Sequence, residues 1–269
     1  MSTMMHFTKF AAGIEYQGSD YHGWQRQKSV SNVQEKVETA LSIIANHSIT
    51  VHCAGRTDAG VHSTEQVIHF CTSSIRSYKS WIFGTNRYLP RDISILWIKE
   101  VPNVFHARYS ALSRRYRYII YNCKYRSSIF FKGLCNFYKE LDIFKMHRSA
   151  QYLIGEHDFT SFRSVNCQSV TPVRKIIFIN VFSVRQLVVI DIKASSFLHH
   201  MVRNIASCLI DVGVSKYNEY WIKKLLLLKN RKLASPTARP EGLYLVKVEY
   251  PNFFNLPNYA VGPFFLYKK

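Results

Sequence analysis

The stretch that most constrains the fold runs from residue 173 to 196, VRKIIFINVFSVRQLVVIDIKASS. Two segments rich in β-branched and apolar residues flank a polar break near Arg185, which is the pattern of two strands joined by a tight turn. Such a short connection joins antiparallel strands, because a parallel pair needs a long crossover. Residues 49–55 and 63–72 are predicted to form a second pair of strands around a loop. The sequence therefore predicts an α+β fold with a mainly antiparallel sheet.

The remaining elements follow from periodicity and from turn and capping residues. Ser31 or Asn32 can cap the first helix, whose apolar stripe is Val33, Val37, Ala40, Leu41 and Ile44. Gly155 is expected to end the third helix. Pro102 and Asn103 suggest a boundary between two domains, 1–103 and 104–269. Helices are predicted at 31–45, 77–90, 142–155, 197–213 and 218–230, and further strands at 10–18, 92–101, 113–122 and 242–250.

The charge balance points to a polyanionic partner. Lys and Arg total 36 against 17 Asp and Glu, which gives a net charge of +19. Nucleic acid is the first candidate for such a partner, and an anionic membrane surface or simple solubility are the alternatives. The 17 Tyr and 18 Phe residues supply the core and could also supply platforms for stacking bases.

Cysteine spacing and hydropathy exclude several classes of protein. The six cysteines, at 53, 71, 123, 135, 167 and 208, contain no CxxC pair, so neither a zinc site nor a disulfide framework is expected. Residues 1–13 have no apolar segment of signal-peptide length. The longest apolar run, at 176–179, is far too short to span a membrane. We expect a soluble, cytoplasmic protein that does not associate with membranes.

The loop CAGRTDAGVHS, residues 53–63, places one acid between two glycines. Gly55 and Gly60 permit backbone angles that other residues avoid and let another molecule come close. Asp58 is expected to be ionised at neutral pH, and the nearby Arg56 favours the charged form. Such a carboxylate suits a nucleophile or a base and does not suit a general acid. The alternative is an aspartate that only closes a turn between two strands.

Several segments, in this order along nearly the whole chain, resemble the tRNA pseudouridine synthase A family. The family often has Asp at the position of Gln17, and many members carry an Ala-Pro-Pro-like run in place of residues 235–239. Neither departure touches the loop of Asp58. The segments are IEYQGSDYHGWQRQ (14–27), GRTDAGVHS (55–63), FHARYSALSRRYRYIIYN (105–122), GEHDFTSFR (155–163), FLHHMVRNI (197–205) and EGLYLV (241–246).

The resemblance implies an enzyme that isomerises uridine to pseudouridine at positions 38, 39 and 40 in the anticodon stem-loop of tRNAs, with no cofactor and no metal. It implies the pseudouridine synthase fold, in which two similar halves join through a continuous, mainly antiparallel sheet with helices on one face and the active cleft between the halves. It also implies a homodimer whose partner is the anticodon arm of tRNA.

The resemblance also assigns roles to individual residues. Asp58 is the nucleophile and attacks either C6 of the base or C1′ of the ribose, a choice that stays open. Arg56 enters the gap left by the flipped base, Tyr116 stacks on the target uracil, and Arg203 pairs with the catalytic acid. The pocket walls are Phe197, Val202 and Leu243.

From the residues alone, simpler readings of these positions stay open. Arg56 could be only an ion-pair partner of Asp58, Tyr116 could only pack within its strand, and Arg203, placed about two turns into its helix, could be only a solvated side chain. At the level of function, the rivals are a non-catalytic RNA-binding module, a pseudouridine synthase with another RNA substrate, and a basic protein of the membrane surface.

A tRNA-binding surface is expected from the basic residues and from two segments that resemble RNA-contacting segments of the family. Any one of the basic residues could be an ordinary surface charge, Arg163 included. The predicted tRNA-binding residues are Arg26, Arg76, Phe105, His106, Ala107, Arg108, Tyr109, Lys124, Asn166, Cys167, Gln168, Ser169 and Val170.

Overall fold

The computed structural model describes residues 7–267, so residues 1–6 of the N-terminal segment that was searched for a signal peptide lie outside the described part. Over that range the chain has a mixed α/β fold with five α-helices and a large sheet of ten strands. This confirms the predicted fold class. No helix in residues 7–267 combines the length and the apolar character needed to cross a membrane.

The helices and strands have the following bounds. The α-helices are α1 (Val33–Ala45), α2 (Thr85–Tyr88), α3 (Ile143–Gln151), α4 (Met201–Gly213) and α5 (Trp221–Leu228). The strands are β1 (Thr8–Tyr16), β2 (His52–Cys53), β3 (His62–Thr72), β4 (Ile93–Glu100), β5 (Ser113–Asn122), β6 (Cys135–Phe137), β7 (Gly155–Asp158), β8 (Val173–Val184), β9 (Leu187–Ala194) and β10 (Leu243–Glu249).

Within residues 7–267 the chain divides into two compact units, one of residues 7–112 with 245–267 and one of residues 113–244. The C-terminal segment belongs to the first unit for a physical reason: the Leu112 amide donates to the Glu249 carbonyl at 2.8 Å, and the Tyr250 hydroxyl donates to the Ala107 carbonyl at 2.6 Å. The predicted functional halves, 1–103 and 104–269, remain a prediction.

In the first unit, β1 lies between β3 and β4 and is antiparallel to both, and the short β2 pairs with β3. The Asn32 side chain accepts a hydrogen bond from the Glu35 amide, so Asn32 is the N-cap of α1. The predicted apolar stripe of α1 is buried against β1 and β3, with Ile44 at its edge. This packing makes β3 a buried, rigid support for the loop that precedes it.

In the second unit, β9 lies between β5 and β8 and is antiparallel to both, β7 is antiparallel to β8, and β6 runs parallel to β5. Alternation along β5 separates two faces. On one face, Asp191 is buried and accepts hydrogen bonds from Arg115 at 2.7 and 2.6 Å and from Arg117 at 3.0 Å. Both arginines are held on this face by the same buried carboxylate, whereas Tyr116 lies on the opposite face of β5, which is the candidate functional face.

Several element boundaries differ from the predictions. Helix α3 ends at Gln151, and Gly155, with a φ of +102°, opens β7 instead of ending the helix. Residues 197–200 precede α4 and are not helical, and residues 80–84 form one π-helical turn before α2. The predicted turn of the 173–196 hairpin is confirmed at Arg185, which has a φ of +55°. The short strands β6 and β7 were not predicted.

Candidate active site

The loop that carries Asp58 joins β2 to β3 and is anchored at its first residues by β3. The Ala54 amide donates to the Val67 carbonyl at 2.8 Å, and the Gln66 side-chain amide donates to the Gly55 carbonyl at 2.6 Å. Gln66 is fully buried. The buried strand therefore fixes the point at which the loop leaves the sheet.

A second set of contacts holds Thr57, the residue before the acid. The Thr57 and Tyr16 hydroxyls are 2.8 Å apart in a buried hydrogen bond, and the Trp24 amide donates to the Thr57 carbonyl at 3.0 Å. Gly23 has a φ of +92°, and a Cβ atom there would lie 2.7 Å from that carbonyl oxygen. The segment around Gly23 can therefore pack closely against Thr57 only because residue 23 has no side chain.

The turn from Asp58 to Val61 is closed by the main chain. The Val61 amide donates to the Asp58 carbonyl at 3.2 Å, and Gly60, with a φ of +78°, takes the third position of the turn, as in a type II turn. An Asx turn would instead use the side-chain oxygen of Asp58. The Asp58 side chain is half-buried, and Arg56 is exposed. The loop thus presents a carboxylate and a guanidinium from a rigid frame.

The start of this loop lies in a positive environment. Burial raises the pKa of the Cys53 thiol to about 11, and the charges of Arg56 and Arg108 oppose that rise. Arg108, which is distant in sequence, is therefore close enough to act electrostatically at Cys53. The first residues of the loop therefore lie in the positive field of two arginines, one from the loop and one from residue 108.

In the second unit, Tyr116 lies on β5 opposite Ile192 of β9 and is 8% exposed. Its ring is 5.1 Å from that of Phe197, centroid to centroid, at an interplanar angle of 85°. This edge-to-face contact is a stable arrangement for two aromatic rings, and it fixes the plane of the tyrosine. Phe197 itself is half-buried.

Arg203 lies in the first turn of α4, so its predicted placement two turns into the helix is wrong, because the helix starts only at Met201. Its Nε donates to the Ala238 carbonyl at 2.7 Å. Two of the predicted pocket walls, Val202 and Leu243, are buried at 4% and 5% exposure. Arg203 therefore connects α4 to the loop that precedes β10.

Arg231 was not predicted, and it organises that loop. Its guanidinium donates to the carbonyls of Ala234 and Ser235 and, at 3.1 Å, to Oδ1 of the fully buried Asn204. The Thr237 hydroxyl donates to the same oxygen at 2.7 Å. The only signal in the sequence is a polar Asn within the apolar stripe of α4. The segment that departs from the family pattern, 235–239, is thus held to α4 by hydrogen bonds.

Comparison with known proteins identifies the family. The family model described as tRNA pseudouridine synthase matches residues 12–110 and 149–251. A protein of Buchnera aphidicola subsp. Baizongia pistaciae, named tRNA pseudouridine synthase A, is 62% identical over 258 residues, covering 96% of this chain and 98% of the relative. Proteins of the same name from Escherichia coli K12 and Vibrio vulnificus are each 56% identical over 258 residues, 96% of this chain, and cover 96% and 98% of those relatives. The chain belongs to the tRNA pseudouridine synthase family.

Membership of the tRNA pseudouridine synthase family confirms the resemblance deduced from the sequence and confirms that the protein is an enzyme. The loop of Asp58 and the start of α4 lie inside the matched ranges of the family model, whereas Tyr116 lies between them. The alignment with the curated relatives spans 258 residues, nearly the whole chain.

The structure separates the predicted tRNA-binding segment 105–109 into inner and outer residues. Phe105 and Ala107 are fully buried, so their side chains face the core. Tyr109 is 77% exposed, Arg108 is exposed with its guanidinium 5.6 Å from the Tyr109 ring centroid, and His106 is half-buried. In a tRNA pseudouridine synthase, an exposed cation beside an exposed aromatic ring is suited to contact RNA.

Three predicted basic contacts lie in different settings. Arg26 is ion-paired with Glu38, a buried carboxylate on α1. Arg76 donates to the carbonyls of Ile44 and Ile75 and so satisfies the C-terminal end of α1. Lys124 is exposed beside the Tyr125 ring. Of the three, Arg26 is the one whose charge is paired with a carboxylate, in the part of the chain that the structure describes.

The second predicted RNA segment, residues 166–170, is exposed at Asn166, Gln168 and Val170 and half-buried at Cys167 and Ser169. Arg174 of β8, which the sequence did not single out, folds back on this segment. Its guanidinium donates to the Ser169 hydroxyl at 2.6 Å and to the Thr171 carbonyl at 3.0 Å. The segment is therefore supported by an arginine from the adjacent strand.

Proposed function

We propose that this enzyme isomerises uridine to pseudouridine at positions 38, 39 and 40 in the anticodon stem-loop of tRNAs, with Asp58 as the nucleophile. The observation that carries the proposal is the near full-length similarity to curated enzymes named tRNA pseudouridine synthase A. The anchoring of the Asp58 loop supports it, because a nucleophile must be held in place before the substrate arrives.

The proposed chemistry needs a carboxylate and no redox step. The C1′–N1 and C5–H bonds of uridine break, and the C1′–C5 and N1–H bonds form, so that product and substrate have the same atoms. Asp58 attacks either C1′ of the ribose or C6 of the base and leaves when the new carbon–carbon bond has formed. Either route proceeds without a metal or a cofactor.

The target base has to leave its stack to reach Asp58, which costs a few kcal/mol. In this proposal, the exposed Arg56 side chain fills the gap that the flipped base leaves in the RNA. The ring of Tyr116 stacks on the uracil. The edge-to-face contact with Phe197 supports the second assignment, because it fixes the plane on which a base would stack. The pairing of Arg203 with Asp58 stays a prediction.

We propose that the tRNA contacts His106, Arg108 and Tyr109 in one segment and the exposed residues of 166–170 in the other. The net charge of +19 supports a polyanionic substrate. The resemblance further predicts a homodimer, which sedimentation of the purified protein would test. The cytoplasmic location expected from the cysteines and from hydropathy would be tested by cell fractionation.

Position mapping tests the substrate assignment. Transcripts of one tRNA carrying uridine at only one of positions 38, 39 or 40, and a transcript with none, are incubated with the enzyme, and pseudouridine is located by carbodiimide modification and primer extension. Modification of the first three transcripts and not of the fourth supports the proposal. If all four transcripts were instead modified at another position, the enzyme would act at a different site in the RNA, and the proposal would be wrong.

A further inference from the structure

In the first unit, His106 of segment 105–109 forms a cluster with two further histidines, His52 and His69. His69 of β3 is 5% exposed, and its ring lies 5.0 Å from that of His52 and 4.5 Å from that of His106, between centroids. His106 in turn lies 4.3 Å from the ring of Tyr109. The cluster therefore connects a buried strand to the exposed aromatic residue of the segment.

Hydrogen bonds fix Ala107 from both sides. The Ala107 amide donates to Nδ1 of His69 at 3.1 Å, and its carbonyl accepts from the Tyr250 hydroxyl at 2.6 Å. Because Nδ1 of His69 accepts a hydrogen bond, the neutral ring carries its proton on Nε2. Both main-chain polar groups of a fully buried residue are thus held by side chains.

The surroundings keep the His69 ring neutral. Burial lowers the pKa of His69 to about 3, and the neighbouring His106, His52 and Lys9 add to the effect. A protonated ring would lose the acceptor that Ala107 uses. The acceptor is therefore present throughout the neutral pH range.

Further contacts hold the residues of segment 105–109 on either side of Ala107. Nδ1 of His106 accepts from the amides of Arg108 and Tyr109 at 3.1 and 3.3 Å, which closes a tight turn. The ring of the buried Phe105 packs between Tyr250 and Phe254, at 5.2 and 5.0 Å between centroids. With Phe105 and Ala107 fixed inside, Arg108 and Tyr109 are directed outward.

We propose that His69 is a positioning residue for substrate binding: as the neutral Nε2–H tautomer, it accepts the Ala107 amide and holds Arg108 and Tyr109 in the orientation that binds RNA. This inference rests on the proposed function, in which segment 105–109 contacts tRNA. His69 itself touches neither the RNA nor the reacting atoms.

Matched substitutions test the proposal. His69→Asn keeps an acceptor near the position of Nδ1, whereas His69→Leu removes it. Tyr250→Phe removes the other hydrogen bond to Ala107 and keeps the ring. We expect His69→Leu and Tyr250→Phe each to raise the Kd for tRNA about tenfold, the scale of one lost hydrogen bond, and to leave kcat at saturating tRNA unchanged. His69→Asn should bind tRNA within about twofold of the wild type.

Three controls make the outcome decisive. Ile68→Val, on the opposite face of β3, reports the effect of lost core packing alone, and Arg108→Ala reports direct loss of an RNA contact. Long-range ¹H–¹⁵N spectra of the imidazoles report the tautomer of His69. The proposal is overturned if His69→Leu and Tyr250→Phe bind tRNA as Ile68→Val does, if His69→Asn is as weak as His69→Leu, or if the spectra place the proton on Nδ1.

The same experiment separates this inference from the proposed function. If Arg108→Ala weakens tRNA binding and the His69 and Tyr250 variants do not, the segment binds RNA without help from His69, and only the inference fails. If the wild type binds tRNA but makes no pseudouridine, the proposed function fails, and the Kd values still decide the role of His69.

Discussion

At the scale of single residues, substitutions of Tyr116 can distinguish a role of its ring in base stacking from a role of its hydroxyl in proton transfer. Its ring has a fixed plane against Phe197, which favours a role as a stacking surface. We expect Tyr116→Phe to keep substrate binding and Tyr116→Leu to lose about 1–3 kcal/mol of it, the usual value of one base–aromatic stack. Single-turnover rates and Kd values for both variants measure this. Equal loss of the single-turnover rate in both variants, with binding intact, would assign the chemistry to the hydroxyl.

Glu65 of β3 is a buried carboxylate whose ionisation opposes folding. Burial raises its pKa from 4.5 to about 7, and the charge of Lys247, 3.1 Å away, opposes the rise. The folded protein therefore binds a proton between pH 4.5 and 7 that the unfolded chain has released, so the contribution of Glu65 to the free energy of unfolding falls over this range by about 3 kcal/mol as pH rises.

The variant Glu65→Gln tests this contribution, because glutamine does not titrate. In urea unfolding at pH 5 and pH 8, the free energy of unfolding should fall more, or rise less, from pH 5 to pH 8 in the wild type than in the variant. His69 contributes in the opposite direction, since its lowered pKa means that stability is lost as pH falls from 6.5 toward 3. That contribution is common to both proteins and cancels in the comparison. Identical pH dependence in both would contradict the assignment.

At the scale of elements, Arg174 is expected to order segment 166–170. Its guanidinium holds Ser169 and Thr171, and its burial lowers the pKa of the side chain. We expect Arg174→Ala to raise the KM for tRNA about tenfold with little change in kcat, because a mobile segment must be ordered on binding. Lys175→Ala, which removes the same charge from an exposed neighbour, is the control. If both variants raised the KM for tRNA equally, Arg174 would act only through its charge and not by ordering the segment.

The elements also show how far the sequence alone could go. Strand β5 and the 173–196 hairpin were predicted with nearly their observed bounds, because alternation and turn residues are local signals. Helix α3 was predicted too long, since Gly155 supplies a positive φ at the start of a strand and not at a helix end. The loop of Asp58 was found from its glycines and acid. His69, Arg174 and Arg231 were missed because their partners are fixed by tertiary structure and leave no spacing in the sequence.

At the scale of the whole molecule, the net charge of +19 predicts salt-dependent binding of tRNA. The logarithm of the binding constant should fall linearly with the logarithm of salt concentration, by about 0.7–0.9 for each phosphate neutralised. Arg108→Ala should reduce this slope by about one contact. Arg26→Gln should reduce it less, because the buried Glu38 already balances that charge. Equal reductions in titrations from 50 to about 200 mM salt would contradict this distinction.

The central claim is that Asp58 is a chemical group and not only a turn residue. The most direct test measures tritium release from tRNA labelled at uridine C5 for the wild type and for Asp58→Asn, with binding of the same tRNA measured in parallel. We expect release by the wild type, none by the variant, and tRNA binding by both. Release by Asp58→Asn at the wild-type rate would contradict the account and would leave Asp58 as a residue that closes a turn.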